Sequence, residues 1–242
     1  PDGEAPDGLD WEMWLGPAPH HAFNANRFGV ADRWSTFRYF YDYANGWIGD
    51  WGVHLVDIVQ WAMGVPGPHT VGAAGSRFVI RDNSEVPDTL QVTFEYPDFL
   101  CTYENRLANW NSRIGKGHGI EFHGTEATML LDRSGFEVFP EKRKLDDGTE
   151  VARTVSMKME KVDDGLYNHV GNMLECMKTR QRPVSDIEEG HRSSATCLLG
   201  NIALRTRERI AFDAVKQEMR QPSPAAKTLF GREYRAPWKL SV

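Results

Sequence analysis

Leu90-Gln91-Val92-Thr93-Phe94-Glu95-Tyr96 alternates apolar and polar side chains without a break. Successive side chains of a strand point to opposite faces, so this heptad offers one face to a core and one to water. Further strand candidates lie on both sides: 71–80, 99–107, 119–124, 127–132, 135–139 and 151–157. Short turns such as Asp146-Asp147-Gly148 separate several of them. One-sided alternation with short connections predicts a large, mainly antiparallel, open sheet.

Helical periodicity frames these strands. Residues 48–63 read as a helix closed by Gly64, with Pro66 beyond it. A second helix is predicted over 165–179, with Leu166, Val170, Met173, Leu174 and Met177 on one side and Pro183 after it. A third begins near Asp186 and runs to about Arg209, with Leu198, Leu199, Ile202 and Ala203 inward. The order of one helix, many strands and two helices predicts an α+β fold with helices packed on one face of the sheet. Residues 1–242 are expected to form a single domain. Residues 1–33 are mostly loop and linker, with a helical turn at Leu9–Leu15; 34–220 are the core and 221–242 an extended tail. The opening Pro1-Asp2-Gly3-Glu4-Ala5-Pro6-Asp7-Gly8 reads as linker, so a preceding segment is expected.

The 242 residues carry a net charge of −6, which suggests no basic face and argues against nucleic acid as a partner. No apolar run approaches the ~18 residues of a membrane span. Cys101, Cys176 and Cys197 are odd in number and widely spaced, so neither a disulfide framework nor a CxxC site is expected. Of eight tryptophans, Trp11, Trp14, Trp34, Trp47, Trp51 and Trp61 crowd into the first quarter, which suggests a pocket wall or a buried interface.

The chemistry-bearing element is Gly46-Trp47-Ile48-Gly49-Asp50-Trp51-Gly52-Val53-His54-Leu55-Val56-Asp57. Asp50, His54 and Asp57 stand at i, i+4 and i+7, one face of a regular helix. A carboxylate one turn from an imidazole can orient it for acid–base work. The same spacing also serves a structural histidine on a helix face. A zinc site has less support, because no HExxH is present. The loop Asp42 to Trp47 precedes this helix; Asn45, Gly46 and Trp47 are placed to meet a ligand there, or to form an ordinary turn and cap. Gly115-Lys116-Gly117-His118-Gly119 fits neither GxGxxG nor GxxxxGK[ST] and reads as structural. Asn105, Arg106 and Asn109 sit at a strand end, where a polyol or plain solvent would meet them. His169 reads as a surface or core histidine and is kept as a substrate-binding candidate. Arg205 to Arg209 reads as a solvated helix end. No G-x-S-x-G elbow supports a serine nucleophile.

Together, several segments resemble the Gfo/Idh/MocA oxidoreductase family. They are Leu9-Asp10-Trp11-Glu12-Met13-Trp14-Leu15-Gly16-Pro17-Ala18, the Asn45-Gly46 loop and Asp50-x-Gly52-x-His54-x-x-Asp57. Phe122-His123-Gly124-Thr125, Pro183-Val184-Ser185-Asp186-Ile187, Gly190-His191-Arg192 and Arg232 to Trp238 belong with them. The resemblance is to the C-terminal half of that family. It implies a glyceraldehyde-3-phosphate-dehydrogenase-like α/β domain that shapes the substrate site and makes oligomer contacts. The family's N-terminal Rossmann domain binds NAD or NADP. Its glycine fingerprint and its Glu-Lys-Pro element are not found in this chain.

By this resemblance, His54 exchanges the substrate hydroxyl proton and Asp50 holds the hydroxyl. Asp57 supports them, and Arg38 lies near where many relatives carry a Trp-Arg pair. Ala44-Asn45-Gly46 departs from the three glycines of many relatives. The implied function is the substrate-binding and catalytic half of an NAD(P)-dependent oxidoreductase on a sugar, inositol or related polyol, inactive without its cofactor half. Two alternatives are a redox-neutral relative that cleaves or isomerises sugars with bound NAD and a stand-alone sugar-binding or assembly module. The implied partners are a carbohydrate or polyol and, through the open sheet face, further copies in a dimer or tetramer. A cytoplasmic location is expected, with export through an upstream signal left open.

Overall fold

The computed structural model describes residues 1–29, 36–109, 115–163 and 165–240. Trp34 lies outside them. The chain divides into two compact units, Pro1–Asn109 with Ile187–Val242, and Trp110–Asp186. The α+β reading with antiparallel open sheets holds, and the strands are distributed over three sheets rather than one. Among the described residues no helix is long and apolar enough to cross a membrane.

The first unit opens with two short helices, α1 (Trp11–Leu15) and α2 (Ala25–Phe28). A 3-10 turn follows at Thr36–Tyr39, then a π-helical turn at Ile48–Gly52 that runs into α3 (Val53–Met63). Three strands come next: β1 (Thr70–Ser76), β2 (Thr89–Glu95) and β3 (Leu100–Arg106). The register pairs Val71 with Phe94 and Val92 with Tyr103. Leu90, Val92, Phe94 and Tyr96 are buried and Gln91 is exposed, as their alternation predicts. The buried face packs against Ile48, Val56 and the long helix α5 (Ile187–Thr206), which contributes Cys197, Leu199, Ile202 and Ala203. Each large apolar side chain buried here is worth about 1.5–3 kcal/mol of transfer free energy.

Three local differences from the periodicity have physical causes. The helix expected over 48–63 begins as a wider π turn. Gly49 and Gly52 lie within it, and glycine accepts such backbone readily. The strand expected over 71–80 stops at Ser76, because the amides of Phe78, Val79 and Ile80 turn to donate to the buried Asp88 carboxylate. The third helix ends at Thr206, and Arg207 adopts φ 59°. The chain then re-enters the sheet as β10 (Ile210–Asp213) and β11 (Glu218–Met219). The full order of this sheet is β11-β10-β1-β2-β3. The tail carries one short helix, α6 (Pro224–Leu229).

The second unit holds β4 (Ile120–His123), β5 (Ala127–Asp132), β6 (Gly135–Pro140) and β9 (Met157–Glu160) in one sheet. A small hairpin of β7 (Lys142–Lys144) and β8 (Glu150–Ala152) and the helix α4 (Leu166–Thr179) complete it. The strand expected over 151–157 is thus two strands in two sheets. Register aligns two apolar rows on one face of the four-stranded sheet. Phe122, Met129, Val138 and Met157 form one row; Ile120, Leu131, Phe136 and Met159 form the other. No described residue of this unit is fully buried. Leu166, Val170, Met173, Leu174 and Met177 share a side of α4, as expected, yet all are exposed.

Candidate functional site

The site belongs to the first unit and is assembled from the 3-10 turn, the π turn and the start of α3. The turn at Thr36–Tyr39 carries Arg38 to Asp50, where Nε donates to Oδ1 at 2.7 Å. The guanidinium also lies over the Phe37 ring, 5.0 Å from its centroid. Both partners are partly open to solvent, so the bond orients Asp50 more than it stabilises the fold. Asp50 Oδ2 takes no hydrogen bond from any described residue. It remains able to accept one from a ligand hydroxyl.

His54 is exposed. Its ring meets the edge of Trp51, with centroids 5.6 Å apart, and Trp51 in turn meets Trp47 at 6.4 Å. Trp47 donates its indole N–H to the Tyr39 hydroxyl at 3.3 Å. Neither nitrogen of the His54 ring is bonded to a described residue, so the imidazole is open to exchange a proton with a ligand.

Asp57 is engaged differently. Ser193 Oγ on α5 lies 2.6 Å from Asp57 Oδ1 and 2.9 Å from the Glu189 carbonyl. A hydroxyl has one proton, and the charged acceptor at the shorter distance takes it. Asp57 therefore ties α3 to α5.

Two glycines set the approach of the elements. Gly46 is buried at φ 68°, and a Cβ there would stand 3.1 Å from Val86. A Cβ on Gly52 would stand 3.1 Å from the Tyr103 ring. Tyr103 therefore packs directly under the π turn. Burial drives its phenol pKa well up, and Cys197 and the Asp50 carboxylate push the same way. In the loop before the site, burial pushes the Tyr43 phenol up to about 12 against the pull of Arg27. Neither tyrosine ionises near neutral pH.

Among the substrate-binding candidates, Arg38, Asn45, Gly46 and Trp47 flank Asp50 along the chain and join the same corner of the fold. The Asn45 carbonyl accepts from Asn201 Nδ2 at 2.8 Å. Arg106 is not brought to them. Tyr103 and Cys101 point inward on β3, so Arg106 belongs to the other face, where it pairs with Glu104 at 2.8 Å. Asn109 lies beyond that strand end and is exposed. His169 is exposed on α4 of the second unit. Sequence reasoning did not single out Tyr39, Tyr103, Ser193 or Asn201. The inward phase of Tyr103 on β3 was a usable signal; the other three meet the site only through tertiary contacts.

The chain matches the Gfo/Idh/MocA model described as the oxidoreductase family C-terminal alpha/beta domain, over residues 1–99 and 150–240. No protein of curated function matches it. Among solved structures it resembles levoglucosan dehydrogenase in complex with NADH and levoglucosan, with a TM-score of 0.53 at 13% identity, covering 72% of this chain and 52% of that one. It also resembles an oxidoreductase from Agrobacterium radiobacter in complex with NAD+, L-tartaric acid and magnesium, with a TM-score of 0.52 at 13% identity, covering 76% and 54%. The chain spans about half the length of each.

Proposed function

This chain belongs to the Gfo/Idh/MocA oxidoreductase family as its C-terminal α/β domain, and from that membership we propose that it is the substrate-binding and catalytic half of an NAD(P)-dependent oxidoreductase. Its substrate is a sugar, inositol or related polyol, acted on at a C–OH or C=O carbon. The observation that carries this reading is an exposed His54 imidazole, four residues along the chain from Asp50, with neither its ring nitrogens nor Asp50 Oδ2 bonded to any described residue.

Among this chain's residues, Asp50 Oδ2 accepts a hydrogen bond from the substrate and fixes its orientation. Arg38 holds Asp50 in place through the other oxygen. His54 takes the hydroxyl proton as the carbon is oxidised and returns it in the reverse direction. Trp51 meets the imidazole with apolar ring surface, and Trp47 backs Trp51. The glycines from Gly115 to Gly119 lead into β4 rather than a helix, so no helix N-terminus cradles a pyrophosphate there, and the family's glycine fingerprint belongs to its Rossmann half. The nicotinamide is therefore assigned to another half, and this chain alone is inactive in hydride transfer. Asp57 has a supporting role through Ser193.

The test is His54→Ala in the enzyme joined to its cofactor half. The expected loss in kcat/KM is about 10²–10⁴-fold, with the unfolding midpoint unchanged because the side chain is exposed. Unchanged turnover rejects the assignment. Measuring NADH release in the same assay separates net oxidation from a redox-neutral relative.

We also propose that a second copy of the chain packs on the apolar face of the four-stranded sheet. Its two rows of four aligned apolar side chains support this, since no described residue of that unit is fully buried.

A further inference from the structure

Asn201 sits on α5, 156 residues from the loop it touches, and is only 4% exposed. Its Nδ2 donates to the Asn45 carbonyl at 2.8 Å. Its Oδ1 is buried and finds no donor. A buried acceptor without a partner keeps the full cost of its lost hydration. Turning the amide over does not relieve this, because Oδ1 would then face the Asn45 oxygen, acceptor against acceptor. The side chain is held in the one orientation that serves the Asn45 carbonyl.

That carbonyl belongs to the planar peptide joining Asn45 to Gly46. Gly46 has φ 68° and lies against Val86, so the peptide has little freedom on its far side. The π turn begins two residues later and carries Asp50. Gly200, next to Asn201, makes the close approach possible: a Cβ there would stand 2.8 Å from Ile48 and 3.2 Å from Val92. At the other end of the loop, Tyr41 N–H donates to Glu85 and Arg232 donates to the Asp42 carbonyl. The loop is fixed at both ends, and Asn201 supplies the hold nearest the site.

We infer that Asn201 is a positioning residue: its carboxamide sets the Asn45–Gly46 peptide and thereby the turn that presents Asp50 beside His54. This rests on the proposed role of Asp50 and His54. A merely space-filling Asn201 would tolerate leucine, whereas a donor role predicts rescue by any group able to donate to the Asn45 oxygen. Asn201→Asp provides such a group when protonated, and burial raises the pKa of a carboxyl.

The experiment compares wild type, Asn201→Leu and Asn201→Asp by hydrogen exchange at the Gly46 to Gly49 amides, as protection relative to intrinsic rates, at pH 5 and pH 8. Asp42, Asp50, His54 and Glu85 are the other titratable groups on and beside this loop, and wild type measured at both pH values is the reference. Asn201→Leu is expected to lose protection about tenfold at both pH values. Asn201→Asp is expected to lose it at pH 8 and recover to within about twofold of wild type at pH 5. In the enzyme joined to its cofactor half, kcat should follow the same pattern with KM little changed. If Asn201→Leu does not fold, the pH contrast within Asn201→Asp decides alone. Protection in Asn201→Asp that is equal at both pH values overturns the inference. Turnover retained by His54→Ala instead rejects the site, whatever the exchange data show.

Discussion

Gly52 shows why the motif around His54 needs its glycine. The residue lies between Asp50 and His54, and its α-carbon faces the ring of Tyr103, which is 7% exposed. A methyl group added there would meet ring carbons at 3.1 and 3.2 Å and Ile48 at 3.3 Å. A buried ring has no room to withdraw, so overpacking of about 1–3 kcal/mol is expected for Gly52→Ala. Urea unfolding measures it, and a loss below about 0.5 kcal/mol would show that the sheet and the turn are not in firm contact. The spacing of Asp50 and His54 could be read from the sequence because both lie within five residues of one element. The bond from Arg38 was only hinted at by its position. Ser193 and Asn201 could not be read at all. Their partners are 136 and 156 residues away, and no local pattern encodes a contact across that distance.

At the scale of elements, Asp88 decides where β1 ends. Its carboxylate is 1% exposed and accepts from the amides of Phe78, Val79 and Ile80 and from the Thr89 hydroxyl. Burial alone would raise its pKa, but these donors outweigh it and the pKa lies below the usual carboxylate value. A carboxyl depressed in the folded state contributes stability above its unfolded pKa, near 3.9. That contribution is lost as pH falls through the folded value. Asp88→Asn is therefore expected to lower unfolding free energy at pH 7 by about 1–3 kcal/mol, with the gap to wild type narrowing as pH falls below the unfolded carboxyl value. A gap that does not narrow anywhere in that acid range would rule out the charge as its source. The strand expected over 71–80 runs past Ser76 on paper, because Phe78, Val79 and Ile80 are strand-favouring residues, and local composition does not register a carboxylate that captures three amides. The same blindness hid β10, whose four residues follow a helix end rich in arginine and are too short to show a period.

At the scale of the whole chain, the two units differ in how they bury apolar surface. The first has a closed core in which Val71, Val92, Phe94 and Cys197 are wholly inaccessible. The second has no fully buried described residue, although its sheet carries eight apolar side chains in register on one face. Alternation correctly assigned these strands to a sheet with an apolar side. What covers that side is not recorded by composition or period. If a second copy covers it, a charge placed at the centre of the rows must oppose association. Met129 is that centre, with Phe122 opposite it on one neighbouring strand and Val138 on the other. Met129→Lys is expected to shift the sedimentation coefficient from a dimer or larger species to a monomer at micromolar concentration. The strands of the first unit should keep their hydrogen-exchange protection, because none of their buried residues lies on this sheet. A wild-type chain that sediments as a monomer would remove the second copy as the occupant. An assembled Met129→Lys variant would place the contact elsewhere on the molecule.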